Sequence, residues 1–203
     1  MPNEVTVFIV DDDEEVRDAL ALLMQSIGLN SETYDSAQSY LDAFDADKPG
    51  TLVLDVRMKG MSGLALQSHL SSFPLHPPII IITGHGDVSM AVQAVQAGAL
   101  DFLEKPFKEQ TLLESIYRGI EKDAEQRGEA SKVAEVQARV DRLTSREKEV
   151  MGEVVAGKRN KVIAYDLGIS QSTVEAHRAK VMEKMEAESL SDLMRMIFSI
   201  KQE

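Results

Sequence analysis

At 203 residues and a formal charge of −12, the chain is long enough for two small domains with cores of their own. It has no cysteine, which excludes disulfide frameworks and thiolate zinc sites, and four scattered histidines argue against an imidazole metal centre. No basic segment leads into a long apolar run at the N-terminus and no stretch approaches the ~20 apolar residues of a bilayer span, so a cytoplasmic location is expected.

Val5–Val10 is a continuous apolar run rich in β-branched residues, the pattern of a strand buried on both faces, and it ends in Asp11-Asp12-Asp13. Val16, Ala19, Leu20, Leu23 and Ile27 then recur at helical spacing until Gly28. Ser31–Tyr34 reads as a short strand and Ala37–Phe44 as a second helix. Pro49-Gly50 is a turn into the third strand, Thr51-Leu-Val-Leu-Asp55, which ends in a carboxylate. Leu64–Leu70 is a third helix. Pro78-Ile-Ile-Ile-Ile-Thr83 is a fourth strand ending in a hydroxyl, and Val88–Ala97 a helix closed by Gly98. Phe102-Leu103-Glu104 delivers Lys105-Pro106, and a fifth helix is expected from Glu109 to about Ile120. Five strands alternating with five helices predict an α/β doubly wound five-stranded parallel sheet with right-handed crossovers.

From about Lys122 to Arg142 the composition shifts to Glu, Ala, Gln, Arg and Lys without proline, which predicts a helical linker with Gly128 as its weak point. Val133, Val136, Val140 and Leu143 form a heptad-like stripe. Two readings fit it: a helix resting on a neighbouring domain, or a short coiled coil in a dimer.

Residues 143–203 predict an all-α unit of four helices. Thr144 and Glu147 make a capping box for a helix running to Gly157, Lys161–Leu167 is a second helix ended by Gly168, and Ser170 or Ser172 caps a third through about Met185. Ser189 caps the fourth, with Leu190, Leu193, Met194, Ile197 and Phe198 on its apolar face. Two helices joined by a tight glycine turn have the outline of a helix-turn-helix. The acidity does not extend here: residues 1–123 hold 8 Lys/Arg against 20 Asp/Glu, whereas 143–203 hold 10 of each. Over 158–184 six cations, including Lys158, Lys161 and Lys184, face three anions, enough for contacts with DNA phosphates. Thr173, Glu175, Ala176, His177, Arg178 and Lys180 lie where a recognition helix reaches base edges or backbone.

The strand ends of the first half bring one chemistry together. A parallel sheet gathers its functional side chains outside the carboxyl edge. Asp12 and Asp55, with Asp11 behind them, suit Mg²⁺, a hard cation that takes carboxylates, waters and phosphate oxygens. Asp55 is either a metal ligand alone or also a nucleophile that accepts a phosphoryl group. Thr83 can hydrogen-bond the new phosphate oxygens and Lys105 can hold them as a point charge. Helix-dipole chemistry alone accounts for Asp11–Glu15, but not for a second strand ending in aspartate and a third followed by Lys-Pro. A dinucleotide site is disfavoured, because no Gly-x-Gly-x-x-Gly follows the first strand. A magnesium-dependent phosphatase or phosphotransferase with Asp55 as nucleophile is the enzymatic alternative. Such an enzyme needs an acid/base residue two positions on, where Arg57 stands.

Val10-Asp11-Asp12, Leu54-Asp55-Val-Arg-Met58, Thr83-Gly84 and Asp101-Phe-Leu-Glu-Lys105-Pro106-Phe107 resemble the receiver domain of two-component response regulators of the NarL/FixJ type. Leu143-Thr-Ser-Arg-Glu147, Asn160-Lys-Val-Ile-Ala164, Leu167-Gly-Ile-Ser170 and Ser172-Thr-Val-Glu-Ala-His-Arg178 resemble their LuxR-type output domain, closest to the FixJ branch. The resemblance implies a receiver over 1–122, a linker over 123–142 and a DNA-binding domain over 143–203. It implies a non-enzymatic transcription regulator, with phosphoryl transfer from a sensor histidine kinase to Asp55. Mg²⁺ would be held by Asp12, Asp55 and the Arg57 backbone carbonyl, with Asp11 acting through water. Thr83 and Phe102 would be the switch pair, and Lys105 the partner of the phosphate. The implied partners are promoter DNA, RNA polymerase and a second copy of the chain. Lys59 departs from the proline common after the methionine, and Phe102 from the frequent tyrosine.

Overall fold

A computed structural model describes residues 5–84 and 88–200; the outer ends of the two expected domains, residues 1–4 and 201–203, lie outside them. The chain divides into two units, residues 1–127 and 128–203.

In the first unit, β1 (Thr6–Val10), β2 (Asn30–Tyr34), β3 (Gly50–Asp55), β4 (Ile79–Thr83) and β5 (Asp101–Glu104) form one sheet in the order β2-β1-β3-β4-β5, with every pairing parallel. The three central strands are buried throughout, as their uninterrupted apolar runs require, and polar β2 takes an edge. Alternation along the strands divides the core between two faces. Phe8, Val10, Leu52, Leu54 and Ile81 meet Tyr40 of α2 (Ala37–Ala43), Leu66 and Leu70 of α3 (Gly63–Leu70), and Ala94 of α4 (Val88–Gln96). Val7, Ile9, Val53, Ile80 and Ile82 meet Leu20 and Met24 of α1 (Glu14–Ser26) and Leu112 and Ile116 of α5 (Glu109–Asp141). Because all five strands run the same way, the residues that end them share one edge.

Gly50 is not a turn residue but the first residue of β3. A Cβ there would fall 1.9 Å from the Thr6 carbonyl oxygen, so only glycine fits between the strands. The second departure from expectation is α5, one helix of 33 residues rather than a helix ending near Ile120 and a separate linker. Strong helix formers without proline carry it past Gly128, whose cost of roughly 1 kcal/mol is too small to break it. Its contact with the sheet supports it as well. A Cβ at Gly119 would lie 2.3 Å from Thr51 Oγ1, so the helix sits directly on β3. Farther on, buried Asp123 accepts from the Gly50 N–H (2.9 Å) and from Arg127 Nε (2.7 Å). Arg127 also donates to the carbonyls of Ala46 (2.7 Å) and Lys48 (2.6 Å).

In the second unit, α6 (Ser145–Val155), α7 (Asn160–Leu167), α8 (Gln171–Met185) and α9 (Leu190–Ser199) surround Val150, Val154, Ile163, Val174, Val181, Met185, Leu193 and Ile197. The valine stripe is resolved here. Val136 and Leu143 are buried in this core and Val140 is packed against it, so three of the four stripe positions are used within their own unit. Thr144 and Glu147 form the expected capping box, and Ser170, not Ser172, caps α8 through the Thr173 N–H (3.0 Å). Gly168 (φ +67°) takes the left-handed turn between α7 and α8, as a glycine C-cap should.

Candidate functional site

The strand register sets Asp11, Asp55, Thr83 and Lys105 at one edge of the sheet. Val10 pairs with Leu54, Asp55 with Ile82, and Thr83 with Glu104. Asp11 and Asp55 are 1% and 5% exposed, and the half-buried Lys105 ammonium bridges them, 2.6 Å from Asp11 Oδ2 and 2.8 Å from Asp55 Oδ1. The other Asp55 oxygen accepts from the Arg57 N–H (2.6 Å). Thr83 is fully buried, and its carbonyl accepts from the Lys105 N–H (2.7 Å), tying the ends of β4 and β5 together. The Lys105–Pro106 bond is cis. Phe102 is partly buried against the face that holds Leu54 and Ile81.

Electrostatics makes this a site hungry for positive charge. Burial raises the Asp11 carboxyl above its ordinary range despite the opposing pull of Lys105 and the Asp13 N–H. Burial alone would lower the Lys105 ammonium, but its hydrogen bonds to Asp11 and Asp55 outweigh that and push it up. Asp12 is exposed beside Arg57 and Lys59 in an open groove of about 560 Å³. Among the described residues no three acidic or histidine side chains are gathered round one point. Asp11 and Asp55 converge on Lys105.

In the second unit α8 buries Val174, Val181 and Met185 and leaves Thr173, Ala176 and Lys180 exposed at helical spacing. Lys161 is exposed on α7. Glu175 accepts from Gln171 Nε2 (3.2 Å) and Asn160 Nδ2 (3.4 Å), while half-buried Arg178 donates to Asn160 Oδ1 (2.7 Å). Asn160 and Gln171, neither of them among the expected DNA contacts, therefore position two of those contacts. His177 is half-buried with Nδ1 enclosed and unpaired.

Two of the basic residues have other work. Lys158 lies between Glu153 (2.5 Å) and Asp166 (2.8 Å). Lys184, expected at the DNA, is also the counter-ion of buried Glu147 (2.7 Å), whose carboxylate accepts as well from the Thr144 N–H (2.8 Å). These bonds, Lys184 first, hold the Glu147 carboxyl down at about 2. A depressed carboxylate stabilises the fold above its ordinary value of 4.5 and loses that contribution as pH falls toward 2. Lys184→Met is expected to flatten that acid-side slope and to cost about 1–3 kcal/mol at neutral pH. Urea unfolding of this unit, followed by NMR between pH 7 and pH 2, checks both; an unchanged slope would make the pair irrelevant.

The family profile of the response regulator receiver domain matches residues 7–117, and that of the bacterial regulatory proteins of the luxR family matches residues 141–197. The chain belongs to the response-regulator family. This response regulator is 45% identical over 196 residues to the transcriptional regulatory protein FixJ of Azorhizobium caulinodans, covering 97% of its own length and 93% of that protein's. With the Rhizobium meliloti FixJ it shares 46% over 194 residues, 95% of each chain. Among solved structures it is similar to the response regulator StyR (42% identity, TM-score 0.84, 96% and 98% of the two chains). It is also similar to full-length FixJ from B. japonicum (39%, 0.58, 99% of each). Receiver and LuxR-type domains in one chain make it a phosphorylation-controlled regulator of transcription, and the phosphatase alternative is not favoured.

Proposed function

We propose that Asp55 accepts a phosphoryl group from a phosphohistidine of a sensor kinase, and that the acyl phosphate promotes dimerisation and promoter binding. The supporting observation is the pairing of buried Asp55 with Lys105 beside buried Asp11. An Asp55 oxygen forms the P–O bond as the P–N bond of the donor breaks, the electron pair returning to the imidazole nitrogen. On the acceptor side, Lys105 leaves its carboxylate partner for the incoming phosphate oxygens. Thr83 contributes its hydroxyl, and Phe102 follows it as the second half of the switch.

The donor set suits Mg²⁺. The carboxylates of Asp55, Asp12 and Asp11 and the Arg57 carbonyl are all oxygen donors, the kind a hard cation takes. When bound, the ion neutralises charge developing on the transferring phosphoryl group. In the output unit, Thr173, Ala176 and Lys180 face the DNA together with Glu175, His177 and Arg178, while Lys161 supplies a phosphate contact. The chain works in the cytoplasm with RNA polymerase as its downstream partner, its branch resemblance favouring activation, and it acts as a regulator rather than on a substrate of its own. Among the described residues no helix is long and apolar enough to cross a membrane.

Beryllofluoride with Mg²⁺ mimics the acyl phosphate. Light scattering is expected to report a monomer-to-dimer shift on its addition, with DNA binding tightening in parallel. Constant mass and constant DNA affinity would reject the reading.

A further inference from the structure

Asp11 is held at every polar group it has. Its N–H donates to the Tyr34 carbonyl (3.2 Å), Oδ1 accepts from the Asp13 N–H (2.9 Å) and Oδ2 from Lys105 (2.6 Å). The fourth bond comes from the side: Arg17 Nη1 donates to the Asp11 backbone carbonyl at 2.7 Å. Arg17 sits in the first turns of α1, partly buried, and its own N–H donates to the Asp13 carbonyl (3.1 Å). The guanidinium therefore closes a loop from the start of α1 back onto the acidic turn that follows β1.

We propose that Arg17 is a positioning residue for the phosphoacceptor site, fixing the Asp11–Asp12 peptide so that both carboxylates are aimed for Mg²⁺. The inference rests on the reading of those aspartates as the cation side of the site. The carbonyl that Arg17 grips belongs to the peptide unit joining the two. A peptide unit is planar, so fixing its oxygen fixes the rotation about the bonds on either side, and with it the direction in which each carboxylate leaves the backbone. Asp11 has further restraints, from Asp13 and Lys105. Asp12 is exposed and lies between two restrained peptides: this one, and the Asp12–Asp13 peptide, whose N–H donates to Asp11 Oδ1. Outer partners that orient a metal's ligands typically govern affinity by 10–100-fold.

Charge and position make opposite predictions here, which separates them. A guanidinium beside a divalent-cation site repels the ion, so removing it as a charge alone would strengthen Mg²⁺ binding. Removing it as a positioning group weakens binding. With the full-length chain, Mg²⁺ alone as the probe and calorimetry as the readout, Arg17→Met is expected to bind Mg²⁺ 10- to 100-fold more weakly. Arg17→Lys, which keeps a donor on a slightly shorter stem, recovers most of that loss. Thermal unfolding of the metal-free variants shows whether they are folded at the temperature of the titration. Asp12→Asn, measured alongside, loses Mg²⁺ binding if the aspartates are the cation side. Failure of the unsubstituted chain to bind Mg²⁺, or of Asp12→Asn to weaken it, overturns the reading of the site and the inference with it. Normal binding and a weakened Asp12→Asn, with Mg²⁺ affinity unchanged or raised in Arg17→Met, overturn the inference alone.

Discussion

Asp55→Asn is expected to leave the chain folded and to abolish its response to beryllofluoride and Mg²⁺. The amide matches the carboxylate in shape and keeps an oxygen for the Arg57 N–H, which now donates to Asp55 at 2.6 Å. Lys105 keeps Asp11 as its partner, so no buried charge is left alone. The chemistry is what disappears: an amide oxygen forms no acyl phosphate, and the site loses one of its negative charges for the metal. The consequence is large because the switch is steep. Moving a two-state equilibrium from 1:99 to 99:1 takes about 5.5 kcal/mol of differential stabilisation. One charge-assisted hydrogen bond supplies about 1.5–3 kcal/mol, so Thr83, Lys105 and dimer contacts must act together on a phosphate at Asp55. Without the phosphate they have no common group to act on. Fluorescence anisotropy on a labelled promoter fragment should give the substituted chain the same affinity with and without the mimic. A response equal to that of the unsubstituted chain would remove Asp55 from the mechanism.

The parts of this arrangement that were legible in the sequence are those set by local pattern. Apolar runs buried on both faces announced β1, β3 and β4, and the residues that end them carried their chemistry in plain view. The Ser170 and Thr144 caps follow from spacing within a few residues. What was not legible joins positions far apart. Glu147 reads as half of a capping box, but its partner Lys184 lies 37 residues away and no local pattern joins the two. The valine stripe was ambiguous because the same spacing suits a partner helix and the core of its own unit; only the packing of Val136 and Leu143 decides it. Gly50 looked like a turn because Pro-Gly usually is one, whereas its reason is the Thr6 carbonyl on the neighbouring strand. Arg17 carries no motif, and its bond to a backbone carbonyl leaves no trace in residue type.

The clasp on α5 gives the largest expected effect on stability. Arg127 uses three nitrogens on three acceptors, and Asp123, 1% exposed, depends on it for charge balance. One carboxylate oxygen of Asp123, Oδ1, already lacks a hydrogen-bond partner, so the group has no slack. Arg127→Met is therefore expected to destabilise the receiver unit by about 3–5 kcal/mol, the usual cost of stranding a buried charge by deleting its partner. Most of that is the penalty on Asp123 rather than the worth of the pair. Adding Asp123→Asn to Arg127→Met should thus restore part of the loss, since the amide keeps an acceptor for the Gly50 N–H and carries no charge. Two carbonyls, Ala46 and Lys48, remain without their donor, but both belong to a surface loop where water can replace it. Urea unfolding of the single and double variants measures the difference. A single substitution costing less than about 0.5 kcal/mol, the range of ordinary surface changes, would mean that Asp123 finds water and that the clasp does not hold the helix on β3.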